Sequence, residues 1–164
     1  MLSRYTEWRQ AKVSHAIRNR FKVALVEKIP LFEGLSTREL NQIARLVNEF
    51  EVPAGTRLAT IGEPGREMFV IVEGEASVTS RPNRTTFLKR GDFFGEMSLL
   101  DGEPRSATVE ATTPLRLLVL AQREFQQLLD ETASLARKIM RTLCHRLREA
   151  EKHAHHTAPA SFGS

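Results

Sequence analysis

Between Glu49 and Ala121 the hydrophobic pattern has period two, and turn residues interrupt it at short intervals. Pro53-Ala54-Gly55, Gly62-Glu63-Pro64-Gly65, Gly74, Arg81-Pro82-Asn83, Gly91 and Gly102 punctuate this stretch at the spacing of short antiparallel strands. The segments between them are Arg57–Ile61, Glu67–Glu73, Glu75–Ser80, Thr85–Lys89, Ser106–Ala111 and Leu115–Leu120. That many short strands predict a closed or double-sheet β structure, an antiparallel jelly-roll barrel over about residues 49–121. The glycines of these turns read as structural, because tight turns need positive φ.

Helical patterns flank this region, so the fold class expected is α+β. Residues 2–29 place Val13, Ile17, Phe21 and Leu25 at intervals of four, with Ala24 beside them. They form one apolar stripe of an N-terminal amphipathic helix, domain 1–29, long enough to offer a partner a contact surface. Ile29-Pro30 breaks it, since proline lacks a donor and restricts its predecessor. Ser36-Thr37-Arg38-Glu39 is a capping box that opens a second helix to about Val47, with Leu40, Ile43, Ala44 and Val47 inward. After Ala121 come a short helix, Gln122–Asp130, and a longer one, about Thr132–Lys152, with Ala136, Ile139, Met140, Leu143 and Leu147 as its stripe. Residues 30–152 thus form the central domain. Residues 153–164, with His153, His155, His156 and Pro159, read as a disordered tail.

Charge and residue placement exclude several function classes. Residues 1–30 carry seven Lys/Arg against two acids, whereas residues 31–121 carry ten against thirteen. The basicity therefore belongs to the flanking helices, without the concentrated basic face and reading element of a nucleic-acid binder. No apolar run is long enough to span a membrane. The single cysteine, Cys144, rules out an internal disulfide and suits a cytoplasmic protein. A metal enzyme on a jelly roll needs histidines or carboxylates aimed into the barrel. All five histidines, at positions 15, 145, 153, 155 and 156, lie outside residues 31–121. No nucleophile–base set, P-loop or catalytic carboxylate pair is present, so no enzyme and no metal are expected.

The stretch Asp92–Val109 carries the chemistry. Phe93-Phe94 ends a strand, Gly95 permits a sharp turn, Glu96–Leu100 suffices for one helical turn, and Gly102 can end it. Free N–H groups at the start of that turn suit an anion, and Arg105 adds a planar fork for two phosphate oxygens. Glu96 is a poor phosphate ligand but a good acceptor for a sugar hydroxyl. Anion and hydroxyl side by side describe a ribose cyclic phosphate.

Phe94-Gly-Glu-Met-Ser-Leu-Leu100 and Gly102-Glu-Pro-Arg-Ser-Ala-Thr-Val109 resemble the phosphate-binding cassette of the cyclic-nucleotide-binding domain family. Pro30-Leu31-Phe32-x-Gly34-Leu35-Ser36 resembles that family's entry segment, and the likeness covers most of residues 29–152. The resemblance implies that Glu96 holds the ribose 2′-hydroxyl and Arg105 the cyclic phosphate. It implies backbone N–H contacts at Gly95, Ser98 and Ser106, with Met97 and Ala107 in the same binding surface. It also implies that the last helix closes over the base, with Leu143, Arg146 and Leu147 as its lid. The nearest likeness is to sensor domains of bacterial cyclic-nucleotide-gated channels. The sensor domains of catabolite activators and of protein-kinase-A regulatory subunits are similar too. A catabolite activator carries a DNA-reading element beyond the long helix; with twelve residues after Lys152, the alternative reading is the sensor part of a longer catabolite-activator-type transcription factor or of a cyclic-nucleotide-gated channel. The implied ligand is cAMP, which Arg105-Ser106-Ala107 favours without excluding cGMP. The implied partner is an effector protein or fused domain contacted through the terminal helices, with no nucleic acid bound by this chain alone.

Overall fold

Two four-stranded antiparallel sheets face each other. The computed structural model describes residues 22–81 and 83–157. Its elements are α1 (residues 22–27), a 3-10 turn (Pro30–Phe32), α2 (Thr37–Leu46), β1 (Asn48–Val52), β2 (Arg57–Ala59), β3 (Glu67–Glu73), β4 (Ala76–Ser80) and β5 (Arg84–Leu88). There follow β6 (Phe93–Phe94), α3 (Glu96–Asp101), β7 (Thr108–Ala111), β8 (Leu115–Ala121), α4 (Gln122–Glu131) and α5 (Ala133–Thr157). The strand orders are β1-β8-β3-β6 and β2-β7-β4-β5. The jelly roll is therefore a pair of facing sheets and not a closed barrel.

Alternation along β3 and β8 builds the core in two layers. Phe69 and Ile71 of β3 join Leu117 and Val119 of β8 between the sheets. Met68 and Val70 join Leu118 and Leu120 on the opposite face, beneath the helices. Both strands are covered on both sides, so they read as nearly continuous apolar runs, as buried strands do. Their register pairs Phe69 with Val119 and Val70 with Leu118. β1 is different: Val52 is its only buried residue, and pairing with β8 fixes its place. That explains why alternation alone does not single it out.

The helices close the outer face of the β1-β8-β3-β6 sheet. The expected capping box is present: Ser36 Oγ accepts from the Glu39 N–H, and the Glu39 carboxylate accepts from the Ser36 N–H. Leu40 and Ile43 of α2, Phe125 and Leu128 of α4, and Leu135 and Ile139 of α5 fill the layer. The 3-10 turn adds Leu31 and Phe32.

The terminal segments depart from the sequence reading. Most of the expected helix at 1–29 lies outside the described residues. Its described part turns Val26 inward and leaves Ala24 exposed. At the other end α5 continues to Thr157, so residues 153–157 are helix and not tail. Glu151, Lys152 and Ala154 are good helix formers, and the first breaker is Pro159. Residues 158–164 lie outside the described residues. The inward side of α5 is Leu135, Ile139 and Leu143. Met140 and Leu147, assigned to that stripe from sequence, are exposed at 55% and 61%; Ile139 takes the inward place beside Met140, and beyond Leu143 Arg146 takes it beside Leu147.

Candidate functional site

The site begins where β6 hands the chain to α3. Phe94 pairs with Phe69 of β3, and the two rings stack at a centroid distance of 4.8 Å. Gly95 then takes φ +88°, which only glycine adopts cheaply. A Cβ there would also lie 2.7 Å from both Arg105 Nη1 and the Glu67 carbonyl oxygen. No side chain caps the first turn of α3 at Gly95, so no side-chain oxygen occupies its N-terminal N–H groups. Two backbone bonds, Gly62 N–H to Arg105 O and Arg105 N–H to Glu63 O, clamp the Gly62–Gly65 turn onto the chain at Arg105. Gly65 differs from the other turn glycines. Its φ is not positive, and it is needed for close approach, since a Cβ would lie 2.6 Å from Ser98 Cβ and 2.7 Å from Arg105 Cζ.

Arg105 is buried, with its guanidinium held mainly by backbone. Nη1 donates to the Gly95 carbonyl and Nη2 to the Glu67 carbonyl, each at 2.9 Å. The Glu67 carboxylate stands 3.5 Å from Nη2, and the Phe69 ring lies beneath with its centroid 5.9 Å from Cζ. Burial depresses the Arg105 pKa, opposed by the nearby carboxylates of Glu67 and Glu96.

Glu96 is 1% exposed. Its Oε1 accepts from Arg146 Nη1 of α5 at 2.9 Å, while its Oε2 is buried without any hydrogen-bond partner. Desolvation lifts its pKa above the ordinary carboxylate range, against the pull of Arg146, its own N–H and Arg105. Arg146 also donates to the Phe93 carbonyl and lies over the Phe93 ring at 4.6 Å. One residue of α5 thus grips both ends of the β6–α3 junction.

The structure brings Gly95, Glu96, Met97, Ser98 and Arg105 together, with Ser106 beside them through its hydroxyl contact to Met97 Sδ at 3.9 Å. Ala107 follows it, half-buried. Of the three lid candidates, Arg146 reaches the site, Leu143 packs into the helical layer and Leu147 is exposed. Glu96 and Arg105 take different partners, Arg146 and Glu67. Sequence reasoning missed Glu67, Gly65 and Phe69. The one signal for Glu67 is an acid at the head of a strand whose next five residues are apolar; nothing local marks Phe69, which reads as core. Among the described residues no group of His, Cys, Asp and Glu could hold a metal, and no helix is long and apolar enough to cross a membrane.

This geometry can be compared with known proteins. A cyclic nucleotide-gated potassium channel of Mesorhizobium japonicum is 44% identical over 122 residues, 74% of this chain and 34% of the channel. A cAMP-dependent protein kinase regulatory subunit of Neurospora crassa is 33% identical over 139 residues, 84% of this chain and 36% of the subunit. The chain therefore spans about a third of the length of each. The crystal structure of Thermus thermophilus catabolite activator protein superposes with a TM-score of 0.68 at 28% identity, covering 76% of this chain and 61% of that one. Residues 49–132, from β1 through the whole cassette to the end of α4, match the family described as the cyclic nucleotide-binding domain. The facing sheets, the glycine-bounded α3 and the buried Glu96 and Arg105 are thus features of a chain that belongs to the cyclic nucleotide-binding domain family.

Proposed function

We propose that this chain is a non-enzymatic, cytoplasmic sensor module that binds a 3′,5′-cyclic nucleotide, cAMP before cGMP, and reports it through its terminal helices. The observation that carries this reading is the pairing of an orphaned acceptor with a buried cation. Glu96 Oε2 is buried without a partner, a costly state unless a donor arrives. Arg105 is buried close by, with an adjacent carboxylate shared at 3.5 Å. A ribose 2′-hydroxyl donates to the first, and a singly charged cyclic phosphate accepts from the second and from N–H groups at Gly95, Ser98 and Ser106. The base then faces α5, whose Arg146 and exposed Leu147 are its lid.

Transmission follows from the same contacts. Arg146 already joins α5 to Glu96, so a ligand that takes up Glu96 changes what holds the helix. Only a difference in affinity between two helix positions can drive that change. The receiver is an effector protein or a fused domain; the relatives named above include a channel and a kinase regulatory subunit.

Calorimetric titration with cAMP and cGMP tests the reading. Saturable binding at micromolar or better affinity, about −8 kcal/mol or stronger, is expected. No saturable heat up to about a millimolar of either nucleotide, about −4 kcal/mol, would overturn it.

A further inference from the structure

Glu67 touches Arg105 twice, through its backbone carbonyl and through its carboxylate, and the proposed ligand contacts give the carboxylate no role. Its backbone carbonyl orients Arg105, but its carboxylate does not. Arg105 is already fixed by the Gly95 and Glu67 carbonyls at 2.9 Å and by the Phe69 ring. The carboxylate approaches Nη2 only to 3.5 Å, so it contributes charge more than direction. Its side chain is 25% exposed against 6% for Arg105, leaving the pair poorly screened. Burial raises the Glu67 pKa, opposed by Arg105 and then Arg66. The cations Arg105 and Arg146 are thus already matched by Glu67 and Glu96. An arriving phosphate must share Arg105 with a resident anion.

We infer that Glu67 is a specificity-determining charge filter, which holds down affinity for every anion at Arg105 and penalises doubly charged phosphomonoesters more than singly charged cyclic phosphates. The inference rests on the proposed cyclic-nucleotide reading. Repulsion scales with ligand charge. A 5′-nucleotide carries close to two charges above its second phosphate pKa of about 6, whereas a cyclic phosphodiester carries one. A site that excludes open nucleotides needs no steric block if a fixed carboxylate already sits across the guanidinium from them. The same repulsion speeds release of the cyclic ligand.

The experiment compares the full chain with Glu67→Gln at about pH 8, where the phosphomonoester is doubly charged. cAMP binding is measured by calorimetry and 5′-AMP by its displacement of cAMP. Glu67→Gln is expected to bind cAMP more tightly, roughly three- to thirtyfold. It should gain more for 5′-AMP, so that the preference for cAMP narrows. Glu67→Asp, which keeps the charge, should keep the preference. Weaker or unchanged cAMP binding by Glu67→Gln would overturn the inference, because the carboxylate would then be orienting Arg105. An equal gain for both ligands would overturn it as well. Failure of Glu67→Gln to fold would do so too, since the carbonyls alone would then not hold the guanidinium. If the unaltered chain binds no cyclic nucleotide, the proposed function itself falls, and that outcome is distinct from all of these.

Discussion

At the scale of single residues, Arg105 and Glu96 have opposite relations to stability. Arg105 is held by two carbonyls and the Glu67 carboxylate before any ligand arrives, so its removal should cost stability as well as binding. Arg105→Ala is expected to weaken cAMP binding by about 2–4 kcal/mol, because the anion loses its charged partner in a shielded site. Arg105→Lys should recover only part, since a point charge cannot reproduce the fork. Calorimetry reads both, and full recovery by lysine would mean that charge alone matters. For stability Glu96 is the reverse case. Its folded pKa is raised above 4.5, so the folded chain holds that proton more tightly than the unfolded chain. The stability this provides is present below the ordinary carboxylate pKa and is lost as pH rises through the raised value. Near neutral pH the ionised carboxylate is therefore a burden. Glu96→Gln should raise the melting temperature there, with the gap closing as pH falls towards 4.5, while it weakens cAMP binding by about 1–2 kcal/mol. Melts at the two ends of that window check it; a lower melting temperature for Glu96→Gln at neutral pH would show that the Arg146 pair outweighs desolvation.

At the scale of elements, α5 serves two layers at once. Its first turns bury Leu135 and Ile139 in the helical core, and Arg146, farther along, grips Glu96 and the Phe93 carbonyl. Cutting the chain before Leu143 keeps the first set and removes the second. The truncated chain should fold, because most of the core lies in the sheets and the earlier helices. It should bind cAMP about tenfold more weakly, equivalent to about 1.4 kcal/mol, through lost contacts over the base while phosphate and ribose contacts persist. Unchanged affinity would make α5 a structural brace only. The short α3 is at the other extreme. Held between Gly95 and Gly102, both at positive φ, it owes its position to the flanking sheet and not to its own six residues, too few to be helical alone.

At the scale of the whole molecule, the question is which of these features were written locally. Turn residues and the apolar runs between them mark the strands at 67–73 and 115–120, and local signals also mark the capped start of α2 and the glycine-bounded cassette. They do so because turn chemistry, capping and side-chain period act between near neighbours. The roles proposed for Glu96 and Arg105, hydroxyl acceptor and anion binder, likewise rest on residue type and spacing. Tertiary structure alone decided their partners. Arg146 lies fifty residues from Glu96, and Glu67 lies thirty-eight from Arg105. Such pairs depend on how β3 registers against β6 and how α5 settles on the sheet. The same holds for Gly65, whose need for a missing side chain arises from Ser98 and Arg105 across the fold. It holds again for Met140 and Leu147, apolar by sequence yet left exposed, because which side of a helix meets the sheet is set by what already fills the layer beneath it.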